Sequence, residues 1–447
     1  MTEAVSKERT RNYLSQIKGA VAYRAVAMAA SFLAIPLMIG YLGQEQFGVW
    51  STLLTVMSWV VFFDLGIGNG LRNKVAESLA KNEQAEAARY IASGYTLIGL
   101  IALAVWVIVT VTSYFIPWQT VFNTHAIPEV TLRTTIQIAA FFIVLNFWIG
   151  LIGALLGAVQ KTSLAALGQL ITNLAVLGLV FVLTKTTDAS ISQLALVYGL
   201  SLVLANILLS LWFYRRHPEF RPYPYLDKQH VRPLLHVGLQ FFTIQLAVLV
   251  IFTTDKMLIT QLFGPQYVTQ YEVVFKLFSV ITFVHTLVSA PLWSAYTDAY
   301  HREDFVWIKR MLHKQMIVFG GIVLAIVLLG MASKPIIALW VGQELEVSSA
   351  LVISMGLLVL VSTWNNVFGS ILGGIGTIRL GSIYTIFTAL LNIPLSYFMA
   401  VKLGLGIPGI VLGTVTSISI SAILSPLQVY FFIYARPHKS ALYGILR

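Results

Sequence analysis

Hydrophobic residues fall along this chain in long runs separated by short polar clusters, without the strict apolar/polar alternation of half-buried strands. Twelve such runs are read, at about 17–42, 47–70, 91–116, 131–157, 164–184, 193–214, 234–263, 268–293, 313–332, 347–372, 382–402 and 407–434. Most approach or exceed the roughly 20 residues that an α-helix needs to cross the hydrocarbon layer. The short alternating segments of a membrane barrel are absent from the sequence. The pattern predicts an all-α integral membrane protein of twelve crossings, and an even number returns both termini to one side.

Composition sharpens this reading. With 57% hydrophobic and 11% charged residues and a mean hydropathy of +0.81, the chain cannot wrap a polar surface around a soluble core. Placing the N-terminus in the cytoplasm puts 22 of the 29 Lys and Arg in cytoplasmic segments, as the positive-inside rule requires. The outer loops then hold only Arg133, Lys185, Lys334 and Lys402. Topology thus accounts for the formal charge of +11, and no segment supplies the folded basic face that a nucleic-acid partner needs. The absence of cysteine removes disulfides, thiolate nucleophiles and cysteine metal sites. The leader MTEAVSKERTRNYLSQIK lacks a signal-peptide apolar core, so the first crossing is expected to be retained.

The chain repeats itself. WIGLIGALLGAVQKTSL in crossing 4 and WNNVFGSILGGIGTIRL in crossing 10 share Trp148/Trp364, Gly153/Gly369, Leu156/Leu372 and Gly157/Gly373 in one register. Gly43 and Gly264 follow the first crossing of each half, and Asn173 has a counterpart in Asn392. Two parallel six-helix repeats would leave a cleft between lobes. The expected division is a leader at 1–16, an N-lobe at 17–214, a linker at 215–233, a C-lobe at 234–434 and a tail at 435–447. The linker YRRHPEFRPYPYLDKQHVRP is too short for a domain. After crossing 2, Leu71, Val75 and Leu79 recur at i, i+4 and i+8 with charges on other faces, which predicts an amphipathic helix at the cytoplasmic surface.

Ions inside the hydrocarbon layer cost from ~3 to more than ~10 kcal/mol, so each is a functional candidate. Arg24 in crossing 1 and Asp64 in crossing 2 lie at matched depths, roughly 9 Å from the cytoplasmic edge. They could pair in a wet interior; alternatively Asp64 reaches the headgroups beside Gly66, Gly68 and Gly70 while Arg24 snorkels. A second cluster, Asp255 and Lys256 in crossing 7 with Glu272 and Lys276 in crossing 8, lies toward the outer edge, where Glu272 and Lys276 have the i, i+4 order of an ion pair. Arg24, Lys256 and Lys276 are the candidate substrate-binding cations for an anionic headgroup. Asp64, Asp255 and Glu272 would orient them or bind a coupling H⁺ or Na⁺, although two salt bridges could equally do no more than neutralise one another.

Asn146 and Asn365 are candidates for sugar hydroxyls, and Asn173, Asn366 and Asn392 are further intramembrane amides; all five could instead tie helices together. Pro36, Pro291 and Pro394 could kink their crossings. Enzyme motifs are nearly absent: GLGIPG at 404–409 falls in an outer turn rather than between strand and helix, and neither GxxxxGK[ST] nor HExxH occurs. No cofactor or catalytic residue is expected. His285 in crossing 8 is read as a packed or pH-sensitive residue rather than a metal ligand.

The segments IPLMIGYLGQEQFGVWSTL, FDLGIGNGLRNKVAE and LNIPLSYFMAVKLGLGIPGIVLGTVTS resemble the Wzx-type polysaccharide flippases of the multidrug/oligosaccharidyl-lipid/polysaccharide exporter superfamily, and the likeness covers about residues 10 to 435. The resemblance implies two six-helix lobes around a central cavity, carrying an undecaprenyl-diphosphate-linked oligosaccharide such as an O-antigen unit from the cytoplasmic to the periplasmic leaflet of a bacterial inner membrane. It further implies alternating access, an H⁺ or Na⁺ gradient as drive, and a polysaccharide polymerase and chain-length machinery as partners beside the lipid bilayer. A multidrug or cation antiporter and a peptidoglycan-precursor flippase of the same superfamily are the alternative readings. A membrane glycosyltransferase or polymerase fits less well, because neither a large extramembrane loop nor a catalytic acidic motif is present.

Overall fold

A computed structural model describes residues 2–59, 66–289, 292–342 and 345–435. The described residues are helical apart from short turns and contain no strand. Contacts divide the chain into two compact units, Met1–Thr243 and Ile244–Arg447.

In the first unit, α1 (Thr2–Ser58) is interrupted at Gly43, whose φ of 77° and ψ of 169° leave helical space at little cost because glycine has no Cβ to clash. The break separates the first two expected crossings. Pro36 is accommodated within the first of them. Then come α2 (Ile67–Ala80), α3 (Gln84–Thr112), a single turn α4 (Trp118–Val121), α5 (Glu129–Ile149), α6 (Ile152–Ala158), α7 (Thr162–Thr186) and α8 (Ile191–Arg216). Crossing 4 is therefore two helices, α5 and α6, divided at Gly150. The amphipathic expectation for α2 holds: Leu71 and Val75 are buried and Leu79 is half-buried, Ile67 and Ser78 join the buried side, and Arg72 and Asn73 face outward. That apolar stripe packs with Ile91, Ile98, Leu155 and Phe213 into the core of this unit, which Phe220 from the connector and Leu234 near the start of the next long helix also enter.

After the connector, α9 (Lys228–Phe263) carries the boundary between the units. The second unit continues with α10 (Pro265–Ser289), α11 (Leu292–His301), α12 (Phe305–Trp340), α13 (Ser349–Gly374), α14 (Ile378–Tyr397) and α15 (Gly406–Tyr430). Short π-helical turns, Phe398–Lys402 and Phe431–Ala435, follow α14 and α15. The sequence reading missed α11. It is too short and mixed in polarity to stand out alone, yet it packs on α13 as α2 packs on α6, with Tyr296 close to Gly374 and in one buried cluster with Ile371.

The repeat read from sequence has structural counterparts inside each unit. The Trp148 indole donates to the carbonyl of Tyr95 (3.0 Å), and the Trp364 indole to that of Ala422 (2.9 Å). Asn173 donates to Ala27 on α1, and Asn392 accepts from Thr254 on α9, so each amide reaches a helix preceding it in its own unit. Gly157 faces Arg72 of α2, whereas Gly373 faces Trp293 of α11. Ten helical stretches among the described residues are long and apolar enough to cross a membrane. The first, Lys18–Ser58, contains the Gly43 break, and α9 is not among the ten; the expected twelve are not counted out within the described residues.

Candidate functional site

Buried polarity concentrates where α9, α10, α14 and α15 meet in the second unit. Asp255 on α9 is 1% exposed. Its Oδ1 accepts from the Thr414 hydroxyl on α15 (2.9 Å) and its Oδ2 from the Tyr271 hydroxyl on α10 (3.3 Å). Asn392 on α14, fully buried, donates to Thr414 Oγ1 (2.9 Å) and Ser417 Oγ (3.3 Å), and accepts from Thr254 (3.0 Å). Close approach of α14 and α15 makes this network possible: a Cβ at Gly413 would run into the backbone of Ser396, and one at Gly409 into that of Ala400.

The network is short of positive charge. An ionised carboxylate can accept about four hydrogen bonds, and Asp255 receives two, both from neutral hydroxyls. Among the described residues no cation forms an ion pair with it. An isolated carboxylate held out of water costs several kcal/mol unless a proton or a cation neutralises it. The oxygens of Asp255, Asn392, Thr414 and Ser417 are hard donors of the kind an alkali cation takes. The described residues contain no cluster of three or more His, Cys, Asp or Glu able to hold a metal ion.

Consecutive residues on a helix point about 100° apart, so Lys256 cannot share the surroundings of Asp255. Lys256 instead meets Glu272 of α10 at 2.6 Å, with each side chain 18% exposed. This is a contact of charges rather than of hydrogen-bond geometry, since Glu272 Oε2 has no donor aligned with it. The recorded partner of Glu272 is thus on the neighbouring helix. Lys276 lies half-buried one turn along α10. Asp255, Lys256, Glu272 and Lys276 all lie on α9 and α10, and the ion pair there joins Lys256 to Glu272 across the two helices.

The remaining candidates are elsewhere. Arg24 is exposed on α1 and makes no ion pair with a described residue, and Asp64 lies outside the described residues. Asn146 accepts from Asn206 (2.7 Å), joining α5 to α8; Asn365 donates to the carbonyl of Ile418 (3.0 Å), joining α13 to α15, and its Oδ1 is buried without a partner. His285 is 2% exposed, a packed residue. Sequence reading weighed Asn392 only as an amide and passed over Tyr271, Thr414 and Ser417. Hydroxyl residues are common in membrane helices, and only the facing of α15 on α9 singles these out.

Solved structures share this architecture at low sequence identity. An inward-facing multidrug resistance MATE family transporter of the MOP superfamily superposes with a TM-score of 0.75 at 16% identity, covering 93% of this chain and 98% of that one. A MOP superfamily transporter from Pyrococcus furiosus, described as having reversed binding-pocket polarity, gives 0.64 at 15% identity over 95% and 96%. The fold is that of the MOP superfamily, a class of multi-pass helical membrane proteins. The chain belongs to the polysaccharide biosynthesis protein family, whose model matches residues 20–290; the MatE model matches residues 242–398. Curated relatives include a "Putative O-antigen transporter" of Salmonella typhimurium, 22% identical over 408 residues and covering 89% of this chain and 91% of the relative. A "Putative O-antigen export protein" of Yersinia pseudotuberculosis is 22% identical over 405 residues, with the same coverage.

Proposed function

We propose that the chain is a flippase that moves an undecaprenyl-diphosphate-linked oligosaccharide, an O-antigen or related repeat unit, from the cytoplasmic to the periplasmic leaflet of a bacterial inner membrane. Family membership and the names of the relatives support polysaccharide cargo and transport rather than catalysis. The physical demand agrees: a diphosphate and sugars are too polar for hydrocarbon, while a polyprenyl tail prefers it. In this reading Lys256 and Lys276 draw the diphosphate, which must compete with Glu272 for Lys256, and Arg24 serves the first unit. Asn146 and Asn365 keep one amide face for their helix contacts, so any sugar contact they make is secondary. Both termini lie in the cytoplasm.

The observation that carries the energetic side is Asp255, buried with two neutral donors and no cation paired to it among the described residues. In the proposed cycle it gains and loses H⁺ or Na⁺, and the difference between those states biases the conformation of the second unit. Reconstituted vesicles with labelled lipid-linked oligosaccharide, under imposed H⁺ and Na⁺ gradients, test this. Transport should follow one gradient, and Asp255→Asn should leave slow translocation that ignores both. Gradient-driven transport by Asp255→Asn at the unsubstituted rate would rule out the coupling role, and drug efflux without oligosaccharide movement would rule out the cargo.

A further inference from the structure

The second unit has a cavity of about 620 Å³ between α10, α12 and α13, away from the Asp255 network. Small residues contribute to it: Gly330 and Ser333 on α12 and Ser349 on α13 put little side-chain volume into the space, whereas Gly356 packs closely on Ile326 and Phe278. Elsewhere its lining is aliphatic apart from Phe278 and Lys334, with Met331 and Ile353 strongly exposed at the rim. Among the described residues that line it, Lys334 alone is charged, and it forms no ion pair with another described residue.

Depth identifies what fits this groove. On α12 the residues between Lys314 and Lys334 carry no charge, and that separation spans roughly 30 Å of helix, the thickness of the hydrocarbon layer. Lys334 therefore sits at the level of the headgroups. The deepest lining residue on α12, Val323, is about 16 Å below it, close to half the layer and so to the length of one leaflet. The groove has the length of a single leaflet, is apolar along that length, and has a cation at its interfacial end. Positive-inside counting places that end outside.

We propose that this groove binds one anionic phospholipid of the outer leaflet, with an acyl chain laid between α12 and α13 and its phosphate at Lys334. A lipid held there would fill the space that small residues leave between the two helices.

The test is native mass spectrometry of the full-length protein in mild detergent, titrated with dioleoyl-phosphatidylglycerol or dioleoyl-phosphatidylcholine. The unsubstituted chain should retain one phosphatidylglycerol in preference to phosphatidylcholine. Lys334→Gln, a change at an exposed side chain, should weaken phosphatidylglycerol binding about fivefold. Gly330→Phe should abolish retention of both lipids: a Cβ there meets only Val352 Cγ1, at 3.9 Å, so the ring enters the groove without displacing backbone. Lys402→Gln, away from the groove, should bind as the unsubstituted chain does. Equal retention in all four proteins, no preference for the anionic lipid, or a Gly330-dependent dimer without a lipid adduct would each overturn the proposal.

Discussion

His230 Nε2 lies 3.1 Å from Glu86 Oε1, joining the start of α9 to the start of α3 across 144 residues of sequence. The imidazole is 5% exposed, packs edge-on to Tyr90 at 4.9 Å, and brings Nδ1 to 3.4 Å from Asp227, an ion-pair distance without hydrogen-bond alignment. The backbone N–H of Gln229 holds the Asp227 carboxyl below the usual carboxylate range, helped by the Tyr225 hydroxyl and His230. A carboxyl that ionises more readily when folded contributes fully above the unfolded value of about 3.9 and loses that contribution as pH falls through the folded one. Acidification through that window should loosen the connector before the helices unfold, read as faster amide exchange at residues 217–230. In Asp227→Asn the connector should exchange faster at neutral pH and show little further change on acidification.

Helix spacing depends on a few glycines, and the surroundings of each set the cost of replacing it. A Cβ at Gly413 meets the backbone of Ser396, which cannot step aside, so Gly413→Ala should lower stability by about 1–3 kcal/mol and disturb the Asn392–Thr414 bond. At Gly157 the nearest atom is Arg72 Nε, 2.9 Å away on an exposed and flexible side chain. Gly157→Ala should stay within about 0.5 kcal/mol. Thermal unfolding of the detergent-solubilised protein, followed by circular dichroism, distinguishes the two.

The Lys256–Glu272 pair separates stability from transport. Removing one partner takes the opposing charge from a partly buried ion, and Glu272→Gln should cost up to about 3 kcal/mol, reduced by the remaining exposure. The double variant Lys256→Met/Glu272→Met removes both charges and should recover most of that loss, yet oligosaccharide translocation in vesicles should fall if Lys256 meets the diphosphate. Unchanged translocation in the stable double variant would confine the pair to packing.

The matched tryptophans test the internal repeat. Trp148→Phe and Trp364→Phe each keep most of the ring while losing one N–H bond to a carbonyl, so each should cost about 1 kcal/mol. The two residues are in different units and share no recorded partner, so their effects should add in a double-variant cycle.

Much of this protein is written in one dimension. The length of apolar runs depends only on local composition, because each backbone group in hydrocarbon must be satisfied within its own helix; multi-pass helical architecture was therefore legible from sequence. The α2 stripe was visible for the same reason, as was the Trp148/Trp364 register. Tertiary structure decided which way each of those residues faces and what it meets. Asp255 and Lys256 are adjacent in sequence but separated by a third of a turn, and only the packing of α9 against α10 and α15 sends one to Thr414 and the other to Glu272. Helix rotation and neighbour choice arise from side-chain packing over distances that no local pattern records, so the charged residues could be picked out from the chain while their partners could not.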